Sequence, residues 1–496
     1  MKKSLKKITA LSLAGMMATA CLTPVMAAET TTEETTAPKY IFLFIGDGMS
    51  YPQVQSTSYY LGEINNEDSE FPVGEALSFM NFEVAGSAQT FDSTSFCPDS
   101  ASTATSISTG NKTYSGTINM DTTMTVAYET ISEKLKSQKD YKIGVITSVN
   151  LNHATPAAFY AHQASRSSYY EIGLELIESG FDYFAGGGLL KPTGSNKDQA
   201  NLYDLAAEAG YNVVMTQEEA EALTAESGKS IVIGERLADS DSLPYDMDLE
   251  EGEWNLAAYV EKGIELLDNE NGFFMMCEGG KIDWACHAND AKSSITDTKA
   301  LSDAVEVAVD FYNEHPDETL ILVTGDHETG GLTIGYAGTN YDTFLSNLTN
   351  QTVSYAKFDS DYVAGYKENN TSFEDVMTDV TALFGLTAPA EGAETYGTVA
   401  LTEYEYGLLQ AAYEKTMSDS EEELTQAEYV LYGSYEPLTV TITHILNNKS
   451  GIDFTSYSHT GLPVPVFAQG VNAEEFAGYY DNTDIFNKLA AMTGVE

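Results

Sequence analysis

The stretch YIFLFI, residues 40–45, is the part of this 496-residue sequence that most clearly indicates the fold. Its apolar residues follow one another without polar alternation, as in a strand buried on both faces of a parallel sheet. Stretches with helical periodicity, such as 253–269 and 297–315, separate it from similar runs. Those runs lie at 142–148, 212–216, 272–277, 319–325 and 463–469. The alternation predicts an α/β three-layer sandwich, in which helices cover both sides of a central, mostly parallel sheet.

The segment 346–450 interrupts this alternation. It is rich in Tyr, Glu, Thr and Asn, and its clearest element is one amphipathic helix at 401–419. We therefore interpret the segment as a cap-like insertion over the sheet. The α/β domain then comprises residues 39–345 and 451–496.

The N-terminus predicts export. Lysines at the start, an apolar stretch ending near Cys21 and a small-residue pattern up to Ala27 are typical of a signal peptide. We expect residues 1–27 to be removed and residues 28–38 to form a disordered tether. The protein is then extracellular or periplasmic, and lipid anchoring at Cys21 is the less favoured alternative. The later sequence predicts no transmembrane segment.

The charge balance excludes some partners. The chain has 75 acidic and 24 basic residues, a formal charge of −51. Such a surface repels nucleic acid and anionic lipid, and an anionic substrate needs local positive charge to bind. Cys97, Cys277 and Cys286 are too few for a disulfide framework, and we expect all three to be buried.

Acidic and histidine residues lie beside the ends of the predicted strands, where open α/β sheets place their functional sites. Three of the seven histidines, His287, His327 and His459, belong to this set. The neighbouring carboxylates are Asp47, Glu278, Asp283 and Asp326. Mixed histidine and carboxylate ligands suit Zn²⁺, whereas oxygen ligands alone suit Mg²⁺. Because no HExxH helix is present, the pattern does not predict a zincin protease.

The chain contains only two arginines, Arg166 and Arg236. We place Arg166 about three helical turns after a helix start at Thr155 and Pro156, where its guanidinium could bind two oxygens of a phosphate or carboxylate. Arg236 follows Glu235, and we expect it in an ordinary surface ion pair.

The stretch CPDSASTATS, residues 97–106, allows two interpretations. Asp99 and Ser100 could simply begin a helix, or Ser100 could be a nucleophile activated by a metal ion. The other hydroxyl residues, Ser102, Thr103, Thr105 and Ser106, are interpreted as packing residues. A G-x-S-x-G motif, which would support a Ser-His-Asp hydrolase, is absent.

Taken together, six ordered motifs resemble those of the alkaline phosphatases. The resemblance covers about residues 39–340 and 455–496. The motifs are IGDGM (45–49), PDSASTATSISTGNKTYSG (98–116), HATPAAFYAHQASR (153–166), EGGKIDWACH (278–287), VTGDHETGG (323–331) and SHTG (458–461).

The resemblance implies hydrolysis of phosphate monoesters through a phosphoserine on Ser100, with Arg166, steadied by Asp99, binding the phosphate. It implies two Zn²⁺ and one Mg²⁺, and it allows a homodimer. The implied ligands are Asp283, His287 and His459 for the first zinc, Asp47, Asp326, His327 and Ser100 for the second, and Asp47, Thr155 and Glu278 for Mg²⁺.

Two positions at which family members differ hold His153, next to the Mg²⁺ site, and Trp284, near the phosphate. A histidine there leaves Co²⁺ or another transition metal as an alternative to Mg²⁺. The alternative functions are phosphodiester hydrolysis by a related two-metal enzyme and non-catalytic binding of phosphate or metal. A sulfatase needs a C/S-x-P-x-R context, which Cys97, Pro98 and Asp99 do not provide.

Overall fold

The computed structural model describes residues 37–66, 69–389, 397–418 and 424–496. The predicted signal peptide, Cys21 and nearly all of the predicted tether lie outside the described residues. Within the described ranges, no helix combines the length and apolar character needed to cross a bilayer.

The centre of the structure is a ten-stranded sheet, and two small ribbons accompany it. The strands are β1 (Tyr40–Gly46), β2 (Val84–Gln89), β3 (Lys142–Thr147), β4 (Tyr183–Gly186), β5 (Asn212–Val214), β6 (Ser230–Ile233), β7 (Phe273–Gly279), β8 (Thr319–Gly325), β9 (Glu328–Thr329), β10 (Thr333–Ile334), β11 (Ile452–Asp453), β12 (His459–Thr460), β13 (Val464–Gly470) and β14 (Gly478–Asp481). The order in the large sheet is β14-β2-β13-β8-β1-β7-β3-β4-β6-β5, and the ribbons pair β9 with β12 and β10 with β11.

All six apolar runs of the sequence are strands of the large sheet, so the α/β prediction is confirmed. Strand β1 lies in the middle, parallel to both β7 and β8. Only β13 is antiparallel to its neighbours, β8 and β2. The sequence missed β2, which lacks a continuous apolar run, and the four-residue strands β4, β6 and β14.

Helices cover both faces of the sheet. They are α1 (Tyr51–Asn65), α2 (Ser100–Thr109), α3 (Ile131–Lys139), α4 (Ala154–Ala157), α5 (Tyr169–Ser179), α6 (Leu202–Glu208), α7 (Gln217–Glu221), α8 (Leu256–Leu267), α9 (Lys281–His287), α10 (Ala291–Glu314), α11 (Tyr355–Phe358), α12 (Ala364–Asn369), α13 (Phe373–Phe384), α14 (Glu403–Thr416), α15 (Gln426–Tyr432), α16 (Pro437–Ser450) and α17 (Thr483–Thr493).

The unbroken apolar run of β1 follows from this layering. Ile41, Leu43 and Ile45 belong to a core shared with α2, α3, α5 and α17. Phe42 and Phe44 belong to the opposite core, shared with α8 and α10. Each of these side chains is fully buried, and burial of one such side chain contributes about 1.5–3 kcal/mol.

The described residues of the segment 346–450 add no strand to the large sheet. Helices α11 to α14 and α16 contribute to a third core that also contains Tyr60 of α1 and Ile295 of α10, whereas Tyr432 of α15 belongs to a small fourth cluster. The sequence helix at 401–419 corresponds to α14. The role of the segment as a cap stays a prediction.

One cysteine prediction is wrong. Cys277 and Cys286 are buried, but Cys97 is exposed, because it lies in the loop before α2 and not within it. The expected ion pair of Arg236 is present. Its partner is Glu253, which accepts two hydrogen bonds from the guanidinium at 2.7 and 2.5 Å.

Glycines end the two central strands β1 and β8. Gly46 and Gly325 are paired across these strands. After Gly46 the chain turns sharply, and the Met49 amide donates a hydrogen bond to the Gly46 carbonyl. A β-carbon on Gly325 would lie 1.9 Å from the carbonyl oxygen of Met49. A glycine is therefore required at this strand end, one residue before Asp326.

We expect Gly325→Ala to lower the free energy of unfolding by about 1–3 kcal/mol, because the added methyl group displaces the backbone at Met49. Gly365→Ala is a matched control, since no atom lies within 4 Å of its added carbon. That variant should be as stable as the wild type or slightly more stable. Urea unfolding of both variants measures the difference, and equal midpoints would contradict the argument.

Candidate active site

The carboxyl ends of β1, β7 and β8 bring three carboxylates together. Asp47 and Asp326 come directly after paired glycines of β1 and β8. Glu278 lies in β7 opposite Ile45 of β1 and Thr147 of β3. All three carboxylates are fully buried. The parallel register of the central strands therefore places residues that are distant in the sequence at one edge of the sheet.

Ser100 is the first residue of α2, and Asp99 is its N-cap. The Asp99 carboxylate accepts a hydrogen bond of 3.1 Å from the Ser102 amide. Ser100 Oγ lies 3.4 Å from Asp47 Oδ1 and 3.2 Å from His327 Nε2. The capping and nucleophile interpretations thus apply to different residues, Asp99 and Ser100. The positive end of the helix dipole favours an anionic oxygen at this position.

Asp283, His287 and His459 form a first group of metal-ligand type. The Nε2 atoms of the two histidines are 3.0 Å apart and lie 3.4 and 3.5 Å from the Asp283 carboxylate. Each histidine donates from Nδ1 to a backbone carbonyl, His287 to Tyr457 at 2.6 Å and His459 to Pro98 at 2.5 Å. With Nδ1 protonated, two Nε2 lone pairs face each other, and a shared proton or a cation must lie between them.

Asp47, Asp326 and His327 form a second group. His327 Nε2 is 3.2 Å from Asp47 Oδ1 and 3.4 Å from Asp326 Oδ2. The hydroxyl of Thr103 donates to Asp326 Oδ2 at 3.1 Å. Thr103 therefore contacts the site, whereas the sequence analysis gave it only a packing role. The first two groups adjoin, since the rings of His327 and His459 stack 3.7 Å apart.

Asp47, His153 and Glu278 form a third group whose potential ligand atoms lie within 4.8 Å of one another. The Thr155 hydroxyl donates to Asp47 Oδ2 at 3.2 Å, and the Thr147 hydroxyl donates to Glu278 Oε2. Within the described part of the chain, Glu278 Oε1 and His153 Nδ1 are buried without a hydrogen-bond partner. Glu278 Oε1 is an acceptor, and a buried acceptor without a partner fits a metal site.

The pKa values of the four buried carboxylates depend on how much positive charge lies beside each of them. Burial and the neighbouring carboxylates raise the pKa of Asp47 well above its usual range and that of Asp326 to about 8. Burial also raises the pKa of Glu278 to about 7. The pKa of Asp283 lies well below its usual range despite burial, because His287 and His459 adjoin it. Divalent cations would stabilise all four ionised groups, so the donor set fits bound metal.

Arg166 reaches the same site, but not from a helix as predicted. Helix α4 ends at Ala157, and an antiparallel bridge between Ile118 and Gln163 then fixes the chain. The Arg166 guanidinium donates to Asp99 at 2.9 Å and to His153 Nε2 at 3.1 Å. Burial and the charge of Arg166 lower the pKa of His153 to about 3, so its imidazole is neutral and accepts this bond.

His162 secures the segment that carries Arg166. Its ring nitrogens lie 3.3 Å from Glu133 and 3.2 Å from Glu175. Burial opposes protonation, but the hydrogen bonds and charges of Glu133 and Glu175 outweigh it and raise the pKa of His162 to about 10. The imidazolium therefore ties the segment to α3 and α5.

A cavity of about 340 Å³ opens over the site and reaches Ser100, Arg166, His153 and Trp284. Trp284 packs edge-on against His153, with ring centres 5.8 Å apart. Two tyrosines of the segment 346–450, Tyr355 and Tyr435, also line the cavity. The sequence analysis missed both, because that segment carries no motif.

Comparison with known families and structures agrees with this geometry. The model of the alkaline phosphatase family matches residues 38–495. Alkaline phosphatase 4 of Bacillus subtilis is 28% identical over 498 residues, which covers 98% of this chain and 96% of the relative. Alkaline phosphatase 3 of the same organism is 29% identical over 456 residues, with coverages of 90% and 87%.

Solved structures of alkaline phosphatases also resemble this chain. The cold-active alkaline phosphatase of a psychrophilic Shewanella species superposes with a TM-score of 0.73 at 27% identity, over 92% of this chain and 99% of that one. A histidine-to-aspartate variant of alkaline phosphatase from the Antarctic bacterium TAB5, solved with Mg bound in its M3 site, gives a TM-score of 0.62 at 26% identity, over 93% and 99%.

We expect His162→Gln to be destabilised most at low pH. Because the pKa of His162 rises from about 6.5 to about 10 on folding, its stabilisation is complete below pH about 6.5 and is lost as the pH rises to about 10. Urea midpoints of the wild type and the variant should therefore converge across this range. His315→Gln is the control, since its histidine lies 4.0 Å from Glu318 near the surface. A difference that stays constant with pH would refute the ion pair.

Proposed function

Because the chain belongs to the alkaline phosphatase family, we propose that it hydrolyses phosphate monoesters through a phosphoserine on Ser100. The observation that carries the proposal is the position of Ser100. Its hydroxyl lies at a helix N-terminus between Asp47 and His327, and it opens into the same cavity as Arg166. A serine in a packing role would not need these neighbours.

We assign three metal sites to the three groups of side chains. Asp283, His287 and His459 would hold the first Zn²⁺; Asp47, Asp326, His327 and Ser100 the second; and Asp47, Thr155 and Glu278 a Mg²⁺. When bound, such ions supply positive charge that stabilises a serine alkoxide, a leaving oxygen and a nucleophilic water. Because His153 belongs to the third group of potential ligands, Co²⁺ or another transition metal is the alternative ion there.

The residues of the chain then perform defined tasks. Arg166 binds two non-bridging oxygens of the phosphate, and its bonds to Asp99 and His153 fix its orientation. Ser100 Oγ attacks the phosphorus in line, and the bond from phosphorus to the leaving oxygen breaks. A water molecule then attacks the phosphoserine, which releases inorganic phosphate and restores the serine.

The remaining assignments follow from the sequence. The predicted signal peptide supports export to the periplasm or the exterior. The substrates are small phosphate monoesters, and the formal charge of −51 disfavours nucleic acid as a specific partner. A homodimer is a further hypothesis, which sedimentation of the purified protein would test.

We expect Ser100→Ala to lose hydrolysis of an aryl phosphate monoester by several orders of magnitude, because the attacking oxygen is removed. The wild type should hydrolyse the monoester faster than an aryl phosphodiester or an aryl sulfate, assayed side by side. Undiminished monoester hydrolysis by the variant would overturn the mechanism. A preference for the diester would favour the related phosphodiesterases.

Metal content provides a test that does not depend on turnover. We expect elemental analysis to find three divalent ions per chain of wild type, and one fewer in Glu278→Gln, because that variant loses a charged ligand of the third site. Glu414→Gln, which changes an exposed glutamate of α14, is the matched control and should retain all three. Unchanged metal content in Glu278→Gln would refute the third site.

A further inference from the structure

The cavity over Ser100 is lined by two chemically different sets of side chains. One set comprises the groups that the proposed mechanism uses, among them Ser100 and Arg166. The other set, which we call the second end of the cavity, comprises Asp239, Ser240, Trp284, Tyr355 and Tyr435. A phosphate monoester bound with its phosphorus at Ser100 has its leaving group in the same cavity as these side chains.

The tyrosine rings of the second end are held in place. Tyr355 begins α11, and its ring meets that of Tyr435 at 83° with centres 6.0 Å apart. On its other side it packs against Tyr245 at 5.7 Å, and the Tyr245 hydroxyl donates to the Tyr355 hydroxyl at 3.3 Å. Fixed aromatic rings can pack against a planar group at little cost in conformational entropy.

Trp284 is held by Lys281, which lies three residues earlier on α9. The Lys281 ammonium lies 4.7 Å from the centre of the indole and donates to Asp239 at 2.7 Å and to Ser242 at 2.9 Å. Lys281 is fully buried. Its charge is therefore compensated and is not offered to the cavity.

The acidic residue at this end is presented by a strained turn. Ser240 and Asp241 both have the left-handed backbone conformation, with φ of 54° and 55°. The Asp241 carbonyl accepts a hydrogen bond from the Gly188 amide at 2.7 Å, which holds the turn. Such strain persists where the surrounding structure determines it, often at functional sites. In the ion pair of Lys281 with Asp239 the lysine is buried, whereas the Asp239 side chain is 37% exposed and lines the cavity, so an anionic group there would meet the carboxylate first.

We propose that this second end is a leaving-group subsite, which selects phosphate monoesters whose leaving group is planar, aromatic and free of negative charge. The proposal rests on the proposed function. The cavity of about 340 Å³ is near the lower limit of small-molecule sites, about 300–1,000 Å³, which suits a phosphate with one ring system.

The test compares benzyl phosphate with cyclohexylmethyl phosphate. Both release a primary alcohol with the same carbon skeleton, and only one is planar. We expect kcat/KM of the metal-loaded wild type to favour benzyl phosphate by about 3- to 10-fold, the range expected for an aromatic contact. In the double variant Tyr355→Leu/Tyr435→Leu the ratio should fall to about one, while inhibition by inorganic phosphate stays unchanged.

Two control variants accompany this comparison. Tyr435→Phe, which keeps the ring, should retain the preference. Tyr404→Leu, which changes an exposed tyrosine of α14, should leave the ratio at the wild-type value. If the wild type hydrolyses both esters equally, the subsite is refuted while the proposed function stands. If it hydrolyses neither, the proposed function itself fails.

A second pair of substrates tests the charge preference of the proposed subsite. We expect 4-carboxybenzyl phosphate to be hydrolysed several-fold less efficiently than benzyl phosphate by the wild type, and Asp239→Asn to narrow that gap. Equal efficiency for the two esters in the wild type would overturn the charge selection.

Discussion

One carboxylate, Asp47, connects the parts of the site. It lies 3.4 Å from the Ser100 hydroxyl, 3.2 Å from the Thr155 hydroxyl and 3.2 Å from His327. The position depends on β1, which lies between β7 and β8 and delivers Asp47 beside Glu278 and Asp326. Four buried carboxylates in so small a volume repel one another, and the arrangement is stable only with compensating positive charge. The fold therefore creates the need for cations that the proposed chemistry then uses.

Much of the fold could be predicted from the sequence because a strand buried on both faces must be continuously apolar. That condition identified β1, β3, β7 and β8, and apolar runs also identified β13 and the edge strand β5. The same runs located the candidate site, since the polar residues follow the strand ends. Strands β4 and β6 are buried but contain only four residues each, and they were missed. Strand β2, with the sequence VAGSAQ, is only partly buried and was missed for that reason.

The remaining parts of the site depend on contacts that leave no local pattern. Thr103 is one hydroxyl among several in α2, and only the folded structure shows that it donates to Asp326. Arg166 was placed on a helix that was expected to start at Thr155 and Pro156, yet α4 ends at Ala157 and the pairing of Ile118 with Gln163 follows. Tyr355 and Tyr435 reach the cavity from a segment that carries no motif. Tyr435 packs against a small cluster of Ala412, Tyr432 and Val440, and Tyr355 packs between Tyr435 and Tyr245, contacts that no sequence period reveals.

The antiparallel strand β13 affects the order in which the site can be completed. Strand β13 lies between β8 and β2, and His459 of β12, shortly before β13 in the chain, joins Asp283 and His287. During synthesis, every other side chain of the three groups has left the ribosome before His459 does. The large sheet stays in two pieces until β13 inserts, since β2 and β14 reach the parallel strands only through it. Until His459 has emerged, the chain thus lacks one residue of the first group. The site is completed at the step at which β13 joins the two parts of the sheet.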